Sequence, residues 1–116
     1  MSKDIRTILA LLRTLQGIDP EFPLQYAICL NEIALDEGLS LTTLAERCGM
    51  PLSTVSRVVG ALSCHRQRGN PYELVKVAIS ATERRKKEIS LTPRGRAVID
   101  TLVDILADKP TQRLRA

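Results

Sequence analysis

Apolar residues recur every three to four positions through most of this chain, with one stretch near residue 80 where shorter β-branched runs take over. From Ser2 to Gln16, the residues Ile5, Ile8, Leu9, Leu12 and Leu15 form a broad apolar face. Arg6 and Arg13 lie on the polar side, and Leu11 adds an apolar position beyond the stripe. The spacing predicts a helix that ends at Gly17, followed by a turn through Ile18, Asp19 and Pro20. A second helix is predicted over 22–37, with Pro23 in its first turn and Gly38 as its stop. Its core positions are Leu24, Ala27, Ile28, Leu30, Ile33, Ala34 and Leu35, with Tyr26 partly buried or in a cleft between subunits. Two shorter helices follow. Residues 74–79 (LVKVAI) and 88–91 (EISL) then suit two strands. The last helix is predicted over 92–108, capped by Thr92 with Pro93 at its first position. Val98, Ile99, Leu102, Val103, Ile105 and Leu106 give it a stripe too wide for a single contact.

The two short helices lie in Leu39 to Leu62, LSLTTLAERCGMPLSTVSRVVGAL. Ala45 is small enough for a second helix to cross closely, and Gly49, four residues on, tolerates a left-handed turn. Val55 and Val58 share one face with Leu62, and Leu44, Cys48 and Met50 are their apolar partners. Ser40 suits an N-cap, with Leu39 and Leu44 placed for a hydrophobic staple. The second helix opens either with Ser53 as cap or with Pro51 in its first turn. Together these features predict a helix-turn-helix over about 40–64. The face of its second helix turned away from the core carries Ser53, Thr54, Ser56 and Arg57, short donors and one Arg that can approach a nucleic-acid groove without bulk.

Charge sharpens that expectation. The 116 residues carry a net +4, but residues 1–56 sum to −3, residues 57–96 to +7 and residues 97–116 to zero. The positive charge begins on the second helix of the pair and continues beyond it, the footprint of a polyanion binder. Arg66 and Arg68 fall in the loop 63–73, where Gly69, Asn70 and Pro71 signal a turn. The segment between the two strands, SATERRKK, makes a basic hairpin tip, and a hairpin directly after such a helix is a wing. Arg84, Arg85, Lys86 and Lys87 are placed there to meet phosphates and the narrow minor groove, and Glu83 can orient an Arg beside it.

Composition excludes several classes. With 44% apolar and 3% aromatic residues, the core is aliphatic, and the length suits one small domain, 1–116. Cys29, Cys48 and Cys64 are odd in number and contain no CxxC pair, which argues against a disulfide framework or a zinc site. All three are expected as buried, reduced thiols. No apolar run reaches the length of a membrane span, and the first residues, with an acid and no small-residue cleavage site, do not suit a signal peptide. A cytoplasmic protein is expected. His65 is a lone histidine with no second ligand or nucleophile near it in the sequence. No phosphate loop, nucleophile–base set or metal-spaced cluster appears, so neither an enzyme nor a bound cofactor or metal is expected. The excess apolar surface on both terminal helices, about 3–16 and 92–108, is economically explained by packing on a second copy in a two-fold homodimer.

Taken together, QYAICLNEIA, SLTTLAERCGMPLSTVSRVVGAL and ERRKKEISLTPRG resemble MarR-type winged helix-turn-helix transcriptional regulators over roughly 22–106. The helix pair alone also suits an IclR-type domain, and SLTPRG favours the MarR side. The resemblance implies a mainly α fold with a small β-hairpin wing at about 74–91. It further implies a homodimer held by terminal helices on a pseudo-palindromic double-stranded DNA operator. By carry-over, Arg85 is the minor-groove residue, Glu83 takes the place of the usual Asp that holds it, and Ser53, Thr54, Ser56 and Arg57 fall on the major-groove helix. The chain departs from the family in its longer 63–73 loop and in showing no sixth helix after Asp108.

The expected function is that of a sequence-specific dimeric DNA-binding transcriptional regulator, a repressor that occludes a promoter. The alternative is a replication, partition or protein-interaction module that binds DNA non-specifically or a protein partner. A third expectation is that oxidation of Cys64, at the end of the second helix, disturbs docking. Any small-molecule effector is left unassigned.

Overall fold

The computed structural model describes residues 1–64, 71–82 and 86–107. Five helices and one hairpin follow in the order α1 Ser2–Gln16, α2 Leu24–Leu35, α3 Leu41–Cys48, α4 Leu52–Leu62, β1 Val75–Ile79, β2 Lys87–Leu91 and α5 Pro93–Leu106. This is the mainly α fold with a β-hairpin wing that the hydrophobic pattern predicts, and no helix among the described residues is long and apolar enough to cross a membrane.

One aliphatic core joins α2, α3, α4 and the hairpin. Leu30, Ile33, Leu44, Val55, Val58, Leu62, Leu74 and Ile89 are essentially free of solvent at its centre. The hairpin is antiparallel, pairing Val75 with Leu91 and Ile79 with Lys87, and Leu39 adds a third, single-residue rung against Ile89. That rung explains how a two-stranded ribbon is held to the helices: Gly38 and Leu39 exchange backbone hydrogen bonds with Ile89 at 2.8 and 3.0 Å.

Local signals set most boundaries. The Ser40 hydroxyl accepts the Thr43 N–H at 3.1 Å and caps α3, while the Thr92 hydroxyl accepts the Gly95 N–H at 3.0 Å and caps α5 with Pro93 behind it. Two expectations are corrected here. Pro23 and Pro51 are the N-cap residues of α2 and α4 rather than first-turn residues, and Ser53 is not a cap. Proline's fixed φ and missing N–H suit a position where that N–H has no helical partner anyway.

Three residues assigned to the core of α2 are instead exposed: Leu24, Ile28 and Leu35. The residues of α2 that are buried, Ala27, Cys29, Leu30 and Ile33, trace one narrower face. The wider stripe includes positions that this chain leaves uncovered.

The same division is sharper in the terminal helices. Helix α1 lies along α5 but buries no residue. Its half-buried positions are Thr7, Ala10, Leu11, Thr14 and Leu15, so Leu11, set outside the apolar stripe by sequence, faces its own chain. All of the stripe but Leu15 is turned outward, with Ile5, Ile8, Leu9 and Leu12 exposed at 55%, 55%, 46% and 53%. In α5, Leu102 and Ile105 are buried, and Val103 and Leu106 are exposed.

The three aromatic residues of the chain meet in one place. Phe22, Tyr26 and Tyr72 contact one another edge to face, with ring centroids 5.2–5.9 Å apart. The Tyr72 hydroxyl donates to Asp19 at 2.6 Å. This cluster ties the α1–α2 turn to the segment after α4, and each such pair adds about 0.5–1.5 kcal/mol beyond its buried area. Tyr26 is half-buried within it.

Candidate nucleic-acid interface

The orientation of α4 is set by the turn before it. Gly49 is left-handed, φ 65° and ψ 33°, and its N–H reaches the Glu46 carbonyl while the Met50 N–H reaches the Ala45 carbonyl, both at 3.2 Å. This is a Schellman stop. No heavy atom lies within 4 Å of where a Gly49 Cβ would stand, so the backbone angle alone demands glycine. Ala45 is buried beneath the crossing, and Val55, Val58, Val59, Ala61 and Leu62 bury the inner face of α4.

The outer face is then left open. Ser53, Ser56 and Arg57 are exposed, and Thr54 is half-buried. Leu52, beside Ser53, is exposed at 50%, a position not assigned to this face from the sequence. An apolar side chain there is of the type that meets a thymine methyl group. No side-chain hydrogen bond caps α4, so its N-terminus keeps the partial positive charge that favours a phosphate.

Beyond α4 the chain turns back on itself. The N–H groups of Tyr72, Glu73 and Leu74 bond the carbonyls of Ala61, Ser63 and Leu62 at 3.3, 3.0 and 2.7 Å, fixing the start of the hairpin to the end of α4. Glu73 adopts a left-handed φ of 55°, unusual for a residue with a side chain, and its carbonyl accepts the Thr92 hydroxyl at 2.7 Å. A cleft of about 650 Å³ separates α4 from the hairpin, with Ser56, Val59 and Gly60 on one wall and Val75, Val77 and Ile79 on the other. Cys64, expected in the core, is exposed at its edge, because α4 ends at Leu62 and the chain has already left the core.

The hairpin stem is closed by the Ser80 N–H donating to the Lys86 carbonyl at 2.8 Å. Lys76, Lys86, Lys87 and Arg94 are exposed on the hairpin and the start of α5. Arg66, Arg68, Glu83, Arg84 and Arg85 lie outside the described residues. Not every cation of the basic segment serves the surface. Arg96 donates to Glu37 at 2.6 Å, and the Leu91 N–H donates to the other Glu37 oxygen at 2.8 Å. The Leu91 hydrogen bond, then the Arg96 guanidinium, hold the Glu37 carboxyl below the ordinary glutamate range. Arg47 likewise pairs with Asp36 at 2.9 Å.

The hairpin joins α5 by a contact that only glycine permits. A Cβ on Gly95 would stand 1.9 Å from the Leu74 carbonyl oxygen, which itself accepts the Thr92 N–H at 3.0 Å. The wing is thereby locked to the first turn of the last helix. Among the described residues, no group of three potential metal ligands comes together.

Residues 33–66 match the model of the IclR helix-turn-helix domain. That span covers the helix pair but neither the hairpin nor the terminal helices. The whole architecture recurs in the S. aureus MepR–DNA complex, with a TM-score of 0.74 at 17% identity, covering 97% of this chain and 86% of that one. The chain has the MarR-type winged-helix fold. A structure described as the MarR family transcription regulator SP03579 gives a TM-score of 0.62 at 21% identity, covering 95% of this chain and 66% of that one. The PcaV transcriptional regulator from Streptomyces coelicolor gives 0.60 at 24% identity, covering 90% and 73%. No curated protein matches the sequence. The resemblance read from the residues is therefore borne out for the fold, and the likeness of the helix pair to an IclR-type domain has its counterpart in the family match.

Proposed function

We propose that this chain is a cytoplasmic, dimeric DNA-binding transcription regulator that represses by occluding a pseudo-palindromic operator. The observation that carries the reading is the outward face of α4. Ser53, Ser56 and Arg57 are uncovered on a helix whose opposite face is fully buried, beside a hairpin rich in cations. Arg57 and the hydroxyl groups read base edges in the major groove. Lys86 and its neighbours 84–85 track the phosphates and the minor groove, with Glu83 orienting Arg85, and Arg66 and Arg68 add phosphate contacts. That solved structures of this fold include a protein–DNA complex, with S. aureus MepR, supports the assignment.

Dimerisation rests on the outward stripe of α1. Four large aliphatic side chains, each about half exposed, line one side of a helix whose other side packs on α5. A groove of about 450 Å³ runs beside them, between α1 and the start of α2. A second copy offers the same apolar stripe in return, and a two-fold pairing presents two α4 helices to two half-sites.

Selection from random duplexes tests the reading. The expected result is enrichment of an inverted repeat with half-sites about one helical turn apart. Salt-sensitive binding without enrichment would replace it with a non-specific replication or partition module, and absence of duplex binding with a protein-interaction module.

A further inference from the structure

Two of the three cysteines meet. Cys29 is fully buried in the middle of α2, Cys48 is the last, half-buried residue of α3, and their Sγ atoms lie 3.6 Å apart across a separation of 19 residues. One thiol reachable from solvent, in contact with a second that is shielded, is the arrangement in which an oxidised sulfur is captured by its neighbour. We propose that Cys29 and Cys48 form a reversible intramolecular disulfide on exposure to a hydroperoxide, so that oxidation ties α2 to the end of α3 and resets the helix-turn-helix.

The chemistry divides unequally between the two sulfurs. Burial, then the hydrogen bond with Cys48, push the Cys29 thiol up to about 12, so it keeps its proton. Burial raises the Cys48 thiol above its ordinary value as well, and the hydrogen bond with Cys29 offsets only part of that rise, so it is its exposure that makes Cys48 the sulfur that meets the peroxide. Cys48 attacks the hydroperoxide: an S–O bond forms, the O–O bond breaks and the leaving oxygen departs as water or alcohol. The Cys29 sulfur then attacks the Cys48 sulfenic acid, forming the S–S bond and releasing the hydroxyl with the Cys29 proton as water. The thiol pair loses two electrons, and the peroxide gains them.

Closing the bond brings the sulfurs from 3.6 Å to about 2.05 Å. Cys48 immediately precedes Gly49 and Met50, whose N–H bonds set the angle between α3 and α4. A shift at Cys48 therefore reaches the outward face of α4. The bond itself is independent of the proposed function, and only its effect on DNA rests on that reading.

The test uses the full chain, reduced and then treated with hydrogen peroxide, with remaining thiols blocked before digestion and mass spectrometry. The expected product links the Cys29 and Cys48 peptides with loss of two hydrogens, lowers the blockable thiols from three to one and reverts with dithiothreitol. Cys29→Ala and Cys48→Ser, each verified as folded by circular dichroism, lose the link, and Cys64→Ser keeps it. Three blockable thiols, Cys48 driven to sulfinic acid without a linked peptide, or only a Cys64 bridge between chains would overturn the proposal. On a selected duplex, the linked protein is expected to bind at least about fivefold more weakly than the reduced one, with Cys29→Ala insensitive to peroxide. Equal affinity of linked and reduced protein would overturn the coupling. If the reduced protein binds no duplex, the DNA-binding reading fails while the linked peptide still stands.

Discussion

The helix-turn-helix and the terminal helices are built from similar aliphatic residues, yet one is finished within the chain and the other is not. Leu44, Val55, Val58 and Leu62 are completely buried, whereas Ile5, Ile8, Leu9 and Leu12 remain about half exposed. The difference lies in what surrounds each element. Helix α4 has α2 and α3 packed against its inner face, in one core with Leu74, Val75 and Ile89 of the hairpin region. Among the described residues, helix α1 packs chiefly on α5, which covers one side of a helix that is apolar on more than one. An exposed apolar stripe of that size, on an element with an ordinary polar face elsewhere, is what supports the proposed pairing with a second copy. The helix-turn-helix is therefore expected to keep its shape in the monomer, and the terminal helices, on the proposed dimer, to need a partner.

The largest expected effect comes from opening the finished region. Leu62→Ala removes a fully buried side chain where α2, α4 and the hairpin meet, and should cost about 2–5 kcal/mol, read as a lowered denaturation midpoint. A loss below that range would mean that the core closes around the gap. In the terminal region, Ile8→Glu with Leu12→Glu should leave the helical circular dichroism signal in place. Self-association should weaken by at least about a hundredfold in sedimentation, since each apolar side chain contributes about 1.5–3 kcal/mol when buried. A wild-type chain that already sediments as a monomer breaks the comparison.

If α4 reads DNA as proposed, Arg57→Ala should remove about 1–3 kcal/mol of discrimination between the operator and a sequence changed at one position. Equal losses on operator and random duplexes would move Arg57 to the phosphate class. Gly49→Ala meets no steric neighbour and should cost only the left-handed backbone, about 1–2 kcal/mol of stability. A cost well above that would mean that the turn bears on more than the angle between two helices.

The smallest effect concerns the joint between the two regions. Glu37 is held below the ordinary glutamate value, roughly 4.3, so its contribution is complete above that pH and is lost as pH falls through the lower folded value. For a partly exposed pair, the loss between pH 7 and pH 3 should be about 0.5–1 kcal/mol. Glu37→Gln should flatten that part of the stability profile, measured by thermal melts across the range. An unchanged profile would assign the pH dependence to other carboxyl groups.

Where short-range chemistry decides, the sequence was legible. Ser40 and Thr92 cap helices, Gly49 stops α3, and the inner face of α4 repeats at helical spacing. The outward Ser53, Ser56 and Arg57 follow from that face by geometry. Less was legible where apolar residues outnumber the surface that can cover them. Leu24, Ile28 and Leu35 read as core, and Leu11 as surplus, because periodicity shows that a helix has an apolar face without showing which neighbour arrives. Cys64 was misplaced for the same reason, two residues beyond the end of α4 and just past the buried Ser63.

By itself, then, the sequence determined the elements, the Gly49 stop of α3 and the side of α4 that faces outward, because caps, glycine turns and helical spacing act over a few residues. Helix α2, by contrast, ends at Leu35, before the Gly38 expected to stop it. Only the tertiary structure decided the contacts that join distant segments: Glu37 with Leu91 and Arg96, Gly95 against the Leu74 carbonyl, the aromatic cluster with Asp19, and the Cys29–Cys48 thiol contact. Each depends on how helices cross. Crossing is settled by the packing of whole faces, which no local run of residues encodes.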